Sequence, residues 1–390
     1  VIFTTWAIGI LFWVSLAVYW LSPQAYRKAI LIVSGLLCYV WAIPIHTLAI
    51  VGLSLITYAL GEFALEKGVD SRAGRTALIS GIVLSVLVLV GFKYTGFLLD
   101  TVNQAFSQAI PLPNLLIPLG ISFFVFEFIH YLSDIWRGLI RRAELDDYMA
   151  FILFFPTMVS GPIKRFQVFA DQLNAPKHLQ TAYFNAGLGR IIIGLFKKIV
   201  IADTMTPFIE PLLRPNDQFS GSLALAVVAY TIKIYIDFSA YTDIAIGATT
   251  MFGLSVPENF EQPYLTRNIQ KFWNKWHMSL SSWIRDYVFF PLGGSRVSKP
   301  RMFLNFILVM AICGLWHGAN YNFLVWGLWN GFGLAVHRAW TMAVQITDNG
   351  VIAFSSWVLN MVFVMIGWVL FAAPNLPTAM ANLRALIPGL

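Results

Sequence analysis

The sequence predicts an all-α polytopic membrane protein, and three observations carry that expectation. Of 390 residues, 58% are hydrophobic and only 12% are charged, about half the charged share of a soluble domain. Apolar stretches able to cross a bilayer, about 20 residues each, recur from one end to the other. The period-two alternation of outer-membrane barrel strands is missing. No long polar linker interrupts the apolar runs, so a single membrane-embedded domain over 1–390 is expected.

Val1 to Leu21 is uncharged. It lacks a basic n-region and a small-residue cleavage site, so it reads as a retained span and not a signal peptide. Arg27 and Lys28 follow. Ala29 to Gly61 is too long for one span and contains Pro44, which predicts two helices meeting at Ile43-Pro44. A loop with Lys67, Arg72 and Arg75 leads to a span over Thr76 to Leu99, where Lys93 is free to snorkel. Asp100 to Asn114 reads as a polar loop without Lys or Arg. Leu115 to Trp136 spans again, closed by Arg137, Arg141 and Arg142. Basic loops therefore alternate with loops that hold no basic residue. By the positive-inside rule the N-terminus is outside and the Arg27, Arg72 and Arg137 loops are cytoplasmic.

Tyr148 to Ile163 breaks that alternation. It is apolar, holds Pro156, Gly161 and Pro162, and has basic residues on both flanks. As a helix it would reach about 24 Å, short of a hydrocarbon core roughly 30 Å thick. A re-entrant segment on the cytoplasmic side is expected. Non-helical backbone at that depth must be buried in protein or line a cavity, and this segment is expected to help wall a cavity. Phe184 to Ala202 is a span carrying Arg190, Lys197 and Lys198. Ser222 to Phe252 holds Lys233, Asp237 and Asp243 among apolar residues. Asp237 with Tyr241, and Ser239 with Asp243, share a helix face at i, i+4, which predicts a buried polar network more readily than a catalytic carboxylate. Met302 to Leu315 is short. Asn322 to Val344 and Ile352 to Ala372 are further spans, and Pro374 to Leu390 suits an interface.

The net charge of +7 follows from these loops and from contact with membrane lipids. No basic run with interleaved aromatics stands clear of the membrane, so nucleic acid is not an expected partner. Cys38 and Cys313 lie in apolar runs and read as buried thiols.

Six histidines occur. His178 lies in a polar loop, His46 and His337 near span ends, and His130 in a span where a packed, hydrogen-bonded role fits best. An ionisable group at membrane depth is costly and marks function by default. His317 fits that description. It lies 16 residues beyond Arg301, about 24 Å along a helix. Gly318 leaves room beside it, and Asn320 is placed to orient its ring. A structural histidine bonded to a helix carbonyl is the plainer alternative. His277, Ser281 and Arg285 recur at i, i+4, i+8, a possible polar stripe on one helix. Trp273, Trp276, Leu280 and Trp283 form the neighbouring, packing stripe. There is no HExxH and no cysteine pair, so no metal is expected.

These residues carry a resemblance. Gln270-Lys271-Phe272-Trp273 through Arg285-Asp286-Tyr287, Pro291 through Arg296, and Leu315-Trp316-His317-Gly318-Ala319-Asn320 resemble the membrane-bound O-acyltransferase family. So do Gly91-Phe92-Lys93-Tyr94, Pro118 through Phe123, Asp134 through Gly138, Ser160 through Ile163, and Asp237 through Asp243. Within the family the chain is most similar to the bacterial branch that O-acetylates exported polysaccharide, alginate acetylation proteins included. Its length, and Phe154 through Pro162, also resemble teichoic-acid D-alanyl transferases.

The resemblance implies a ring of about 10–11 transmembrane and re-entrant helices around a thin central funnel. It implies His317 as the catalytic base and His277 as the second residue of the site. Acetyl-CoA is the expected donor substrate, with no bound cofactor. Asn320, Ser281 and Trp316 are the expected substrate-binding residues. Lys271, Lys275, Arg296, Lys299 and Arg301 are the expected contacts for the donor's phosphates, and Arg285 is a further expected donor- or substrate-binding residue. Expected partners are a periplasmic serine-hydrolase-like acetyltransferase and a polysaccharide synthesis and export complex. Imidazole suits the task because its ordinary pKa is near working pH. Two alternatives remain: D-alanyl transfer from a carrier protein to teichoic acid, and a proton-coupled transporter or flippase using Asp237 and Asp243.

Overall fold

A computed structural model of the chain describes residues 5–214, 220–344 and 349–386. Among the described residues every regular element is a helix, and an isolated antiparallel bridge joins Phe260 and Trp276. The helices are α1 (Trp6–Leu21), α2 (Gln24–Ala42), α3 (Pro44–Lys67), α4 (Arg72–Lys93), α5 (Thr95–Phe106), α6 (Ile121–Trp136), α7 (Leu145–Ile152), α8 (Phe166–Asn174) and α9 (Thr181–Phe196). Then come α10 (Glu210–Leu213), α11 (Ser220–Met251), α12 (Ile269–Lys275), α13 (Met278–Ile284), α14 (Lys299–His317), α15 (Tyr321–Ala343), α16 (Gly350–Ala372) and α17 (Leu376–Leu386). Six of these are long and apolar enough to cross a membrane: α2, α3, α4, α11, α14 and α16. The chain is a multi-pass, all-α membrane protein.

Local chemistry explains the boundaries. Pro44 opens α3, where a missing N–H costs nothing, so the break expected at Ile43-Pro44 is present. Ser71 and Asn349 cap α4 and α16, accepting from the N–H groups of Gly74 and Ile352 at 3.0 and 2.9 Å. Two expectations shift. The polar stretch after residue 100 is partly helical, because α5 runs on to Phe106. The span expected from Leu115 begins only at Ile121, since Gly120, at φ 68°, turns the backbone left-handed just before it.

Contacts divide the chain into two units: Val1–Ile193 with Thr242–Pro257, and Gly194–Tyr241 with Glu258–Leu390. In the first unit α3, α4 and α6 pack on one another, and α7 packs on α2. The segment expected to be re-entrant is α7 followed by a non-helical run. Tyr148, Phe151, Phe154 and Phe155 are fully buried in the core. Gly35 of α2 permits this, because a Cβ there would lie 1.8 Å from the Leu153 carbonyl oxygen. The non-helical backbone is thus enclosed by protein, as its depth requires, and its aromatic side chains pack into the core. Lys164, itself buried, pairs with Glu127 of α6. The Phe166 N–H donates to His130 Nε2 at 3.2 Å, which makes His130 the packed residue expected. Arg190 meets Asp243 at 2.9 Å.

In the second unit α14 and α15 form a close hairpin. A Cβ on Gly314 would lie 2.2 Å from the Phe323 oxygen, and one on Gly327 would lie 2.3 Å from the Met310 oxygen. The hairpin therefore needs both glycines. Asn322 anchors it to the end of α16, donating to Leu370 and Ala373 oxygens at 3.2 and 2.8 Å. Asp237 is neutralised by Lys198 at 2.9 Å, and Lys198 also meets Asp203 at 2.8 Å. Asp237 and Asp243 both have cationic partners; Asp243 is buried as the network reading expects, whereas the Asp237 side chain is 36% exposed.

Candidate active site

Both histidines belong to the second unit, and a backbone clamp sets the first. The extended stretch around Asn259–Glu261 runs antiparallel to Lys275–Met278. Glu261 N–H donates to Lys275 O at 3.1 Å, and Met278 N–H donates to Asn259 O at 2.9 Å. The clamp interrupts the helix between α12 and α13. His277 takes φ 43° and ψ 54°, a left-handed conformation, as the cap of α13. Non-glycine residues rarely adopt it, and such positions cluster at functional sites.

The expected stripe of His277, Ser281 and Arg285 on one helix is therefore absent. Ser281 lies one turn on, its N–H on the His277 carbonyl at 2.9 Å and its hydroxyl on the Trp276 carbonyl at 3.1 Å. Arg285 opens a π-helical turn (Arg285–Phe289) and pairs with neighbouring Asp286 at 3.0 Å, largely exposed.

The His277 side chain is 2% exposed. Its Nδ1 lies 3.3 Å from Asn259 Oδ1, which also accepts from the Ser279 hydroxyl at 2.6 Å. An amide oxygen only accepts, so this contact places the ring proton on Nδ1 and leaves Nε2 with its lone pair. The Phe238 ring meets the imidazole edge-on at 4.6 Å, and the Trp316 ring lies 6.3 Å away. Burial, and then the nearby charge of His317, hold its pKa well below the ordinary range, which keeps the ring neutral.

His317 is the last residue of α14 and is half-buried. Three aromatic rings surround it, with centroids 4.7 Å (Trp316), 5.2 Å (Trp326) and 5.0 Å (Phe371) from its own. The space expected at Gly318 is taken by Phe323, whose ring would lie 2.2 Å from a Cβ there. Asn320 Nδ2 donates to the Pro374 carbonyl at 3.2 Å, tying the hairpin turn to the end of α16. A wider aromatic cluster continues from these rings. Trp326 stacks on Trp368, which packs on Trp276, and Trp273 Nε1 donates to Asn330 Oδ1 at 3.3 Å.

The structure thus brings His277, Trp316 and His317 together. The cations lie on exposed surface: Lys271 and Arg296 are exposed, and Lys275 pairs with Glu261 at 2.7 Å. Among the described residues no three His, Cys, Asp or Glu side chains group as a metal site would. Asn259, Trp326 and Phe371 carry no marking pattern in the sequence, and Phe238 lies in the Asp237–Asp243 stretch without standing out as a site residue. Only the pairing of distant segments reveals them.

A family model described as the membrane-bound O-acyltransferase family matches residues 136–376. A probable alginate O-acetylase of Pseudomonas aeruginosa is 38% identical over 371 residues, covering 94% of this chain and 71% of that protein. A peptidoglycan O-acetyltransferase of Helicobacter pylori is 34% identical, covering 80% of this chain and 65% of its own length. A teichoic acid D-alanyltransferase of Bacillus subtilis is 32% identical, covering 62% of this chain and 66% of its own.

Proposed function

We propose, because this chain belongs to the membrane-bound O-acyltransferase family, that it passes an acetyl group from cytoplasmic acetyl-CoA across the inner membrane for O-acetylation of an exported cell-envelope polysaccharide. That it is a membrane O-acyltransferase is the premise. The acetyl donor, the direction and the acceptor are the proposal. The similarity to the alginate O-acetylase extends over 94% of this chain, against 62% for the D-alanyltransferase, which favours acetyl over D-alanyl. Ion pairing of Asp237 and Asp243 favours an enzyme over a proton-coupled transporter, whose carboxylates must be able to load and release protons.

The observation that carries the reading is that both histidines flank the Trp316 ring, with centroids 6.3 Å (His277) and 4.7 Å (His317) from it. His317 takes the acceptor hydroxyl's proton as its oxygen attacks the thioester carbonyl. The C–O bond forms, the C–S bond breaks, and the proton leaves with the coenzyme A thiol. His277, with Nε2 available, positions the acyl donor or acceptor beside Trp316 and Ser281. Asn320 supports His317 through the hairpin turn it ties down. Lys271, Lys275, Arg285 and Arg296 meet the donor's phosphates from the cytoplasm. With the N-terminus periplasmic, the acetyl group leaves on the opposite face. A serine-hydrolase-like transferase of the polysaccharide export complex receives it there.

The test is protein purified and reconstituted in liposomes, with acetyl-CoA supplied to one face. Wild type should consume acetyl-CoA. His317→Ala should lose about 10²–10⁴ in rate while its thermal midpoint holds. Full turnover by His317→Ala removes the proposed base. Activity only with a D-alanyl carrier protein replaces the donor.

A further inference from the structure

A groove of about 310 Å³ runs between α3 and α4, and neither His277 nor His317 is among its lining residues. Leu48, Gly52 and Ile56 line it from α3, and Leu84, Val88 and Phe92 from α4. Nearly all of its wall is apolar. Both flanking helices are long and apolar enough to cross the membrane. The neighbouring surface is apolar too: Ile45, Leu48, Ile56, Val83 and Leu87 are exposed. In a membrane this surface faces lipid, so an acyl chain has direct lateral access. From Leu48 to Ile56 the helix rises about 12 Å. One leaflet of the hydrocarbon core is about 15 Å deep, so the groove suits a chain from a single leaflet.

One end of the groove is polar. α3 starts and α4 ends there, at Pro44 and Lys93, the level at which headgroups lie. His46 packs edge-on against Phe92, with ring centroids 5.7 Å apart. It is 8% exposed, and its Nδ1 has no hydrogen-bond partner. A buried nitrogen in that state is costly. Lys93, next to Phe92, holds its amine 3.4 Å from the Ser122 hydroxyl. Pro118 and Ile121, just before Ser122, complete the groove wall at this end. A cation, a hydroxyl and an unsatisfied imidazole thus lie beside the lining residues Phe92 and Ile121 at this end of the apolar slot. That combination is complementary to an anionic oxygen group attached to a hydrocarbon chain.

We propose that this groove binds one acyl chain of an anionic phospholipid, with the phosphate at Lys93, Ser122 and His46. The site lies wholly within the first unit, and the proposal does not depend on the acyl-transfer reading. Gly52 offers a direct probe. A Cβ there meets nothing within 4 Å, so a side chain begins in open space beside the groove, and leaving glycine favours the helix.

Native mass spectrometry of protein released from nanodiscs of equal phosphatidylglycerol and phosphatidylcholine tests the proposal. Wild type should retain a single phosphatidylglycerol several-fold in preference to phosphatidylcholine. Gly52→Leu should lose the retained lipid with its thermal midpoint unchanged. Lys93→Gln should keep a lipid but lose the headgroup preference. Equal retention of both lipids by wild type overturns the proposal, as does retention by both variants at the wild-type level. Thermal protection of lipid-free protein by inorganic phosphate, unaffected by Gly52→Leu, would make the polar end an ion site and also overturn it.

Discussion

Asn259 acts on the site through another residue. Its side chain is fully buried and its oxygen is shared between His277 Nδ1 and the Ser279 hydroxyl. Its own carbonyl holds Met278. One residue therefore sets both the backbone turn and the tautomer of the imidazole. Asn259→Ala should lower kcat by about 10²-fold, the typical cost of a misplaced catalytic group, while KM for the donor stays near wild type. Steady-state kinetics check this, and unchanged kcat would reduce Asn259 to a packing role. At this scale the sequence is legible where chemistry is dear. Histidine in an apolar run is conspicuous because it is expensive there, and His277 and His317 stand out for that reason. Asn259 is not conspicuous, because a polar residue after Pro257-Glu258 looks like any loop residue until the chain folds it back beside His277.

The α14–α15 hairpin decides whether His317 meets its rings, since Trp316 and His317 lie on one arm and Trp326 on the other. The arms are held close by main chain meeting main chain at Gly314 and Gly327. Gly327→Ala should cost about 1–3 kcal/mol by overpacking and impair acyl transfer as Trp326 moves off His317. Gly189→Ala, where a Cβ meets nothing within 4 Å, should be neutral or raise the thermal midpoint, because alanine is the better helix former. Thermal melts and turnover of the two variants decide this, and equal behaviour would mean the hairpin yields easily. Element existence was readable from hydropathy, and Pro44 marked a true boundary. The break at Trp276-His277 was not readable. Phe272 through Tyr287 keeps a helical period, and only pairing with a segment more than a dozen residues earlier breaks it.

For the whole chain, six described helices, long and apolar enough to cross a membrane, define a multi-pass protein, and the loop charges predict its orientation. The proposed topology puts both flanks of the Tyr148–Ile163 segment in the cytoplasm. Glu144 and Val168 are exposed on those flanks, Gln108 is exposed beyond α5, and native Cys38 and Cys313 are both buried. With an impermeant thiol reagent outside intact cells, Glu144→Cys and Val168→Cys should stay unlabelled and Gln108→Cys should react. Labelling of either flank alone would make the segment cross the membrane instead. Burial of this segment was predictable from the desolvation cost of open backbone, but its packing partner at Gly35 was not. That contact depends on the absence of a side chain, which leaves no hydropathy signal.

Water is the commonest hydroxyl available to any acyl donor, and an imidazole that activates an acceptor can activate water as well. The rings of Trp316, Trp326 and Phe371 stand around His317 at 4.7–5.2 Å and give water few partners there. Under the acyl-transfer reading, the aromatic wall therefore does more than hold the histidine. It limits futile hydrolysis of the thioester, so that the donor is used up mainly when an acceptor with its own binding energy displaces the last solvent.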